Sequence, residues 1–276
     1  MNVFPLVLQV LALALVTPTA VECRRGVFRG LRKAVGDCPY QRPAVNCQQG
    51  LFLSEHEEEC FEDEDCETSL KCCSRGCDMK CVAPVNYSEW CKVPVDLGIV
   101  FEPYKTVLGN ITRVVRKMSV SKKSTHIALR TIERESELLL KFNGRQTPKE
   151  VKRIIESITP KQPSGKIIRP LISALELAKD MFNETSGGRP EAIKVLLVFT
   201  DGILGEDEEE HRLEAASRAL KDSGILVQSI NIPEMEDTVN LMNLVEIASS
   251  DVYVWNEVDN ELLTQLKKLE REPCNY

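Results

Sequence analysis

Histidine is nearly missing from this chain. Among 276 residues there are three, His56, His126 and His211, scattered through an acidic run, a strand candidate and a charged helix. No HExxH or GxSxG pattern occurs, and Ser164-Gly165-Lys166 lacks the first glycine of a phosphate-binding loop. An enzyme is therefore not expected, and no cofactor is called for. A broad basic face is lacking too: 35 Lys and Arg stand against 42 Asp and Glu, for a net charge of −7. Duplex binders need a broad basic face, so nucleic acid is excluded as a partner. Long apolar runs are absent after the first two dozen residues, which excludes a membrane span or a lipid-anchor tail downstream.

What is present begins with MNVFPLVLQVLALALVTPTAVEC, a short apolar run ending in small residues and followed by basic RRG. That is the layout of a secretory signal peptide over 1–23, with cleavage between Ala20 and Cys23, and it predicts secretion. Residues 24–32 then form a basic arm, expected to be disordered, with heparin-like binding or cleavage after Arg32 as weaker readings. The length suits one medium domain plus something smaller.

Eleven cysteines follow an uneven distribution, with eight between Cys38 and Cys81. Export permits disulfides, and so short a segment cannot build a sufficient core without them. Adjacent Cys72 and Cys73 must each reach a different loop; eight cysteines allow 105 pairings, among which spacing alone does not choose. The fragments KAVGDCP (33–39), CFEDEDC (60–66), KCCSRGC (71–77) and CVAP (81–84) closely resemble the whey acidic protein four-disulfide core, over residues 33–84. The resemblance implies the pairs Cys38–Cys73, Cys47–Cys77, Cys60–Cys72 and Cys66–Cys81. Relatives of this module often inhibit serine proteases through the residue after the second cysteine. Here that residue is Gln48, followed by Gln49, and glutamine buried in a specificity pocket leaves amide groups poorly paired. Arg42 is the one basic side chain in the preceding loop that could suit a trypsin-like pocket. A structural or binding role is therefore the leading reading and inhibition the alternative.

The run SEHEEECFEDEDCE (54–67) is dominated by carboxylates. It reads as a solvated, self-repelling surface. Weak calcium or mineral binding is the competing reading, because the fixed ligand spacing of a calcium loop is lacking.

Past Pro84 the periodicity changes. VDLGIVF, AIKVLLVF, ILVQSINI and VYVW are short apolar strand candidates. Helical spacing links Val151, Ile154, Ile155 and Ile158, then Leu171, Ala174, Leu175, Ala178 and Phe182, then Leu213, Ala216 and Leu220, and finally Leu262, Leu266 and Leu269. Alternating strands and helices predict an α/β fold, with a doubly wound, mostly parallel sheet covered on both faces. Its ligands should sit beyond the carboxyl ends of the strands. The stretch 92–274 resembles a von Willebrand factor type A domain, carried by VDLGIVF (95–101), the segment 165–202 with GGRP and VLLVFTDG, ILVQSINI (225–232) and VYVW (252–255). Residues 85–91 are left as a linker.

That resemblance implies a magnesium-dependent adhesion site built from Asp-x-Ser-x-Ser, a Thr before the central helix and an Asp after the fourth strand. This chain departs from it. The first motif is Glu102-Pro103-Tyr104-Lys105-Thr106, the Thr position falls at or near Arg169, and only Asp201 matches outright. A guanidinium beside a dication is unfavourable, and it can pair with Glu102 or Asp201 instead. The site is thus expected to be degenerate and to hold no metal, with Arg169 standing in for the ion; a turn-capping role for Asp201 is an equal reading.

Cys91 and Cys274 flank this second region and are expected to be bridged, while Cys23 becomes an odd thiol if the signal is cut before it. The sequons Asn86-Tyr-Ser, Asn110-Ile-Thr and Asn183-Glu-Thr, read as lying in a linker or near helix ends, suit a secreted glycoprotein. Together these features predict a secreted, non-catalytic protein of extracellular matrix type that binds other extracellular proteins. A serine protease inhibitor is the rival reading, and an acidic biomineral-matrix component the third.

Overall fold

A computed structural model describes residues 35–41, 59–60, 62–67, 69–75, 78–133, 136–161, 170–204, 208–232 and 240–274. The signal-like segment 1–23, the basic arm 24–32, Cys23, Arg42, Cys47 with its expected partner Cys77, Gln48, Gln49 and Arg169 lie outside the described residues. Residues Lys33–Tyr276 cluster as one unit.

Two short antiparallel strands, β1 (Lys71–Arg75) and β2 (Asp78–Val82), form the described heart of the cysteine-rich module. Disulfides join Cys38 to Cys73, Cys60 to Cys72 and Cys66 to Cys81. Adjacent Cys72 and Cys73 thus reach opposite ways. Part of the acidic run is drawn into this framework: Asp63 pairs with Lys71 at 2.9 Å and accepts the Cys72 N–H at 3.0 Å. Glu62, Glu64, Asp65 and Glu67 are exposed.

The larger region runs β3 (Trp90–Lys92), β4 (Val95–Phe101), α1 (Lys105–Lys117), β5 (Thr125–Thr131), β6 (Leu138–Leu140), α2 (Pro148–Ser157) and α3 (Leu171–Met181). It continues with β7 (Ile193–Phe199), α4 (Glu210–Asp222), β8 (Ile225–Ile230), α5 (Leu241–Ile247), β9 (Val254–Trp255), α6 (Asn260–Lys268) and β10 (Arg271–Pro273). Six strands make one sheet in the order β6-β5-β4-β7-β8-β9, parallel except for β6 at the edge. This is the doubly wound α/β sheet. The chain starts at its centre, in β4, and winds outward both ways, so the switch point lies between β4 and β7.

Every residue of β4 is buried, as a central parallel strand with covered faces requires. Val95, Leu97, Ile99 and Phe101 face α1, α2 and α6, while Val100 faces α3 and α4. Gly98 opens the second face: a Cβ there would stand 2.9 Å from the Phe182 ring. At the amino end of the sheet Asp96 is fully buried and held by Arg189, whose Nε donates to Oδ1 at 2.8 Å and whose backbone N–H donates to Oδ2 at 2.6 Å. The guanidinium also donates to the carbonyls of Val95 and Ser124, each at 2.8 Å. Two glycines deliver it: Gly187 has φ +87°, and a Cβ on Gly188 would lie 2.0 Å from the Phe182 carbonyl oxygen.

Within 85–91, read as a linker, Val85 bridges Asp37, Trp90 and Cys91 pair with β10, and Cys91 bonds Cys274 across 183 residues of sequence. Two expectations need correcting. VYVW is only half a strand, because residues Asp251–Tyr253 form a turn of 3-10 helix before β9. Asn110 lies in the middle of α1 and is half-buried, whereas Asn86 and Asn183 are exposed. Helix position decides this: the sixth residue of α1 is a full turn from either end.

Candidate functional site

The switch point places the carboxyl ends of β4 and β7 side by side, and the side chains that follow them make the candidate site. Pro103 disfavours helix at Glu102, so the chain turns before α1 can begin. Tyr104 occupies the N-cap of that helix in extended conformation, with its own N–H on the Glu102 carbonyl at 2.8 Å. Its side chain makes no cap bond; the phenol turns back and donates to Glu102 Oε2 at 3.0 Å. From β7, Thr200 donates its hydroxyl to Glu102 Oε1 at 3.2 Å and accepts the Gly202 N–H at 3.2 Å. Each oxygen of the Glu102 carboxylate therefore receives a hydroxyl from the rim itself. Glu102, Tyr104, Thr200 and Asp201 are all at most 2 % exposed.

Asp201 does turn-capping work. Its Oδ1 accepts the Ile203 N–H at 3.0 Å, and its carbonyl accepts the Asn240 N–H at 2.9 Å. Gly202 sits at φ +75°, where a Cβ would lie 2.5 Å from the Asn240 carbonyl, and its own carbonyl accepts Asn243 Nδ2 at 2.7 Å. The β7 loop is thus stitched to the start of α5. Lys161 closes the other side: its N–H donates to the Pro103 carbonyl at 2.9 Å and its ammonium pairs with Glu133.

The structure brings Glu102, Tyr104 and Asp201 to one buried rim. Thr106 stands exposed in the first turn of α1. Thr200, Asn240 and Asn243 were not singled out in the sequence; the Thr before Asp201 in VFTDG was the available signal, but its bond to Glu102 spans 98 positions. A magnesium octahedron wants slim oxygens at about 2.1 Å. The described rim offers a carboxylate already bonded at both oxygens, a bulky phenol and a turn-capping Asp. Among the described residues, the group of His, Cys, Asp or Glu close enough to share an ion is Cys60, Cys66 and Cys81, and those sulfurs are spent on disulfides. His211 lies against Glu209, and His126 against the Lys122 carbonyl. The arrangement holds a loop shape.

A doubly wound sheet with an acidic rim at its switch point, tied to a disulfide module, defines a class of extracellular-type modular proteins. Residues 100–269 match the von Willebrand factor type A domain and residues 34–84 match the WAP-type (Whey Acidic Protein) four-disulfide core. The chain belongs to the von Willebrand factor type A domain family and carries a WAP module ahead of that domain. Among curated proteins it is 25 % identical to mouse integrin alpha-2 over 172 residues, which are 59 % of this chain and 14 % of the integrin. It is 27 % identical to human collagen alpha-6(VI) over 64 % of this chain and 8 % of that one. WAP four-disulfide core domain protein 12 of Pongo abelii is 45 % identical over 30 % of this chain and 80 % of its own length. Of solved structures, proximal thread matrix protein 1 from the mussel byssus superposes with a TM-score of 0.53 at 18 % identity, covering 65 % of this chain and 47 % of that one. Manganese-loaded TRAP protein of Plasmodium vivax gives 0.51 at 16 % identity, over 67 % and 78 %. Among the described residues, no helix is long and apolar enough to cross a membrane.

Proposed function

We propose that this is a secreted, non-catalytic protein of extracellular adhesion or matrix type, and that its type A domain docks a partner protein through a rim that needs no resident cation. The observation that carries the reading is Glu102, whose two carboxylate oxygens are bonded by Tyr104 and Thr200 in the place where the family motif has Asp and Ser. Integrin and collagen VI relatives support the extracellular protein-binding class. Arg169 is the residue proposed to balance the rim acids, in the role the family gives to magnesium. The four-disulfide module acts as a rigid accessory, and the exposed acids Glu62, Glu64 and Asp65 give it at most weak, multi-ion contact with calcium or mineral.

Calorimetric titration of the folded protein with magnesium and with manganese tests the rim. The expected result is no saturable one-to-one binding; a measurable one-to-one affinity lost in Glu102→Ala overturns the reading. Titration against trypsin, elastase and subtilisin separates it from the inhibitor alternative, which requires one of the three to be stopped at sub-micromolar concentration.

A further inference from the structure

The amino end of the sheet, opposite the rim, carries a cleft of about 810 Å³ between the first residues of the four-disulfide module and the undersides of α1 and α6. Ile193 and Leu226, which open β7 and β8, form its floor. Its lining brings together Lys117, Lys268 and Arg271 with Tyr40 and Trp90. All three cations are exposed, and none of them is in an ion pair among the described residues. Lys267, also at the cleft, is already committed to Glu270 and Ser119, at 2.5 Å and 2.6 Å. Asp37 is the acid on the lining.

In a chain of net charge −7, three exposed cations without an ion pair among the described residues thus line one concave place. Lysines in the last turns of α1 and α6 would be accounted for by the helix dipoles alone. That does not account for Arg271, which lies on a strand, or for Trp90, which leaves 44 % of its surface in solvent beside those charges. The indole is held in place from behind, edge-on to Tyr87 with centroids 5.2 Å apart, and the Tyr87 hydroxyl accepts the Tyr40 N–H. Further, β3 carries Trp90 opposite Pro273 on β10, and the Cys91–Cys274 bridge locks that pair. The strand of Trp90 and the strand of Arg271 are therefore fixed to each other.

We propose that this cleft binds a linear sulfated oligosaccharide, with sulfates on Lys117, Lys268 and Arg271 and a sugar ring face against Trp90. Several separated cations facing a fixed aromatic surface suit repeated anionic groups on a chain of rings, since each sulfate takes an ammonium or guanidinium while the ring's C–H face covers the indole. No sulfate is assigned to the basic arm at 24–32.

The test uses the full secreted chain and a size-defined, fully sulfated heparin dodecasaccharide on a biosensor surface, with thermal melting to show that each variant is folded. Wild type should bind saturably, and more weakly as salt rises. Lys117→Glu combined with Lys268→Glu and Arg271→Glu should lose at least tenfold in affinity, and Trp90→Ala several-fold with its salt dependence unchanged. A variant with Arg24, Arg25, Arg29 and Arg32 all changed to Ser should stay within twofold of wild type. The proposal is overturned if the triple variant binds within twofold of wild type. It is equally overturned if the arm variant loses the binding, or if poly-glutamate of matched charge competes as well as the sulfated sugar.

Discussion

Replacing Arg189 by Ala should expose how much of the type A domain rests on one buried ion pair. Asp96 has no solvent-exposed side-chain surface and Arg189 only 16 %. Truncation leaves that carboxylate with the bond from the Arg189 backbone N–H, and it removes the donor from the Val95 and Ser124 carbonyls. Removing one partner of a buried pair costs about 3–5 kcal/mol. With a urea slope of about 2–3 kcal/mol per molar for a domain of this size, the midpoint should fall by about 1.5 M with the slope unchanged. Arg189→Lys keeps the charge but not the planar fork, so it should lose about 1–3 kcal/mol. In the double variant with Asp96→Ala, the loss should be smaller than the sum of the single losses, because the second truncation removes the uncompensated charge. Equilibrium unfolding followed by circular dichroism measures all of these. A loss under about 1 kcal/mol for Arg189→Ala, or strict additivity in the cycle, refutes the reasoning.

Acidification should destabilise the domain in two windows. Burial and the Arg189 charge hold the His126 ring below its ordinary value of 6.5. For Glu270, burial opposes ionisation, but hydrogen bonds from Lys267, Thr125 and Ser119 outweigh it and hold the carboxyl below 4.5. Both groups have depressed folded values, so their stabilisation is present above the unfolded value and is lost as pH falls through the folded one. Melting temperature should therefore drop below pH 6.5 and again below 4.5; His126→Gln should flatten the first slope and Glu270→Gln the second. Changing both Cys91 and Cys274 to Ser frees a loop of 183 residues of sequence separation, worth about 5 kcal/mol at most by loop-closure entropy; denaturant titration should show a loss of that order or less. Tyr104→Phe removes a buried hydroxyl from Glu102 and should cost about 1–3 kcal/mol in the same assay; no change would detach Tyr104 from the rim.

The central strands were legible because a parallel strand covered on both faces must be apolar throughout, as in VDLGIVF and KVLLVF. Strand β5 was not, since THIALRT carries three kinds of polar side chain; its histidine and arginine each reach a carbonyl, of Lys122 and Ser136, which no local pattern announces. Helix α1 went unread even though Val107, Leu108, Ile111, Val114 and Val115 keep helical spacing. Its start has no Ser, Thr, Asp or Asn cap, because Tyr104 occupies that place with its hydroxyl turned to Glu102. In the rim, Glu102, Tyr104 and Asp201 could be read by their spacing against a known motif. Thr200 could not, because its role depends on an acid far away in sequence. GGRP was recognised as a signature, but its purpose, carrying Arg189 beneath Asp96, required the folded register.

The two ends of the sheet divide the work. At the amino end, Asp96 with Arg189, Glu270 with Lys267 and Thr125, and the Cys91–Cys274 bridge tie β4, β5, α6 and the chain's flanks together. None of these contacts involves the loops that follow β4 and β7. Those loops are held instead by hydrogen bonds of the rim itself, Tyr104 to Glu102, Ile203 to Asp201 and Asn243 to Gly202. A sheet anchored in this way tolerates exchange of its rim residues, since the cost of altering them is confined to a few hydrogen bonds. Rim residues can then be exchanged without disturbing the core beneath them. Substitutions around Glu102 should accordingly change what the protein binds more than how firmly it folds, and substitutions around Asp96 should do the reverse.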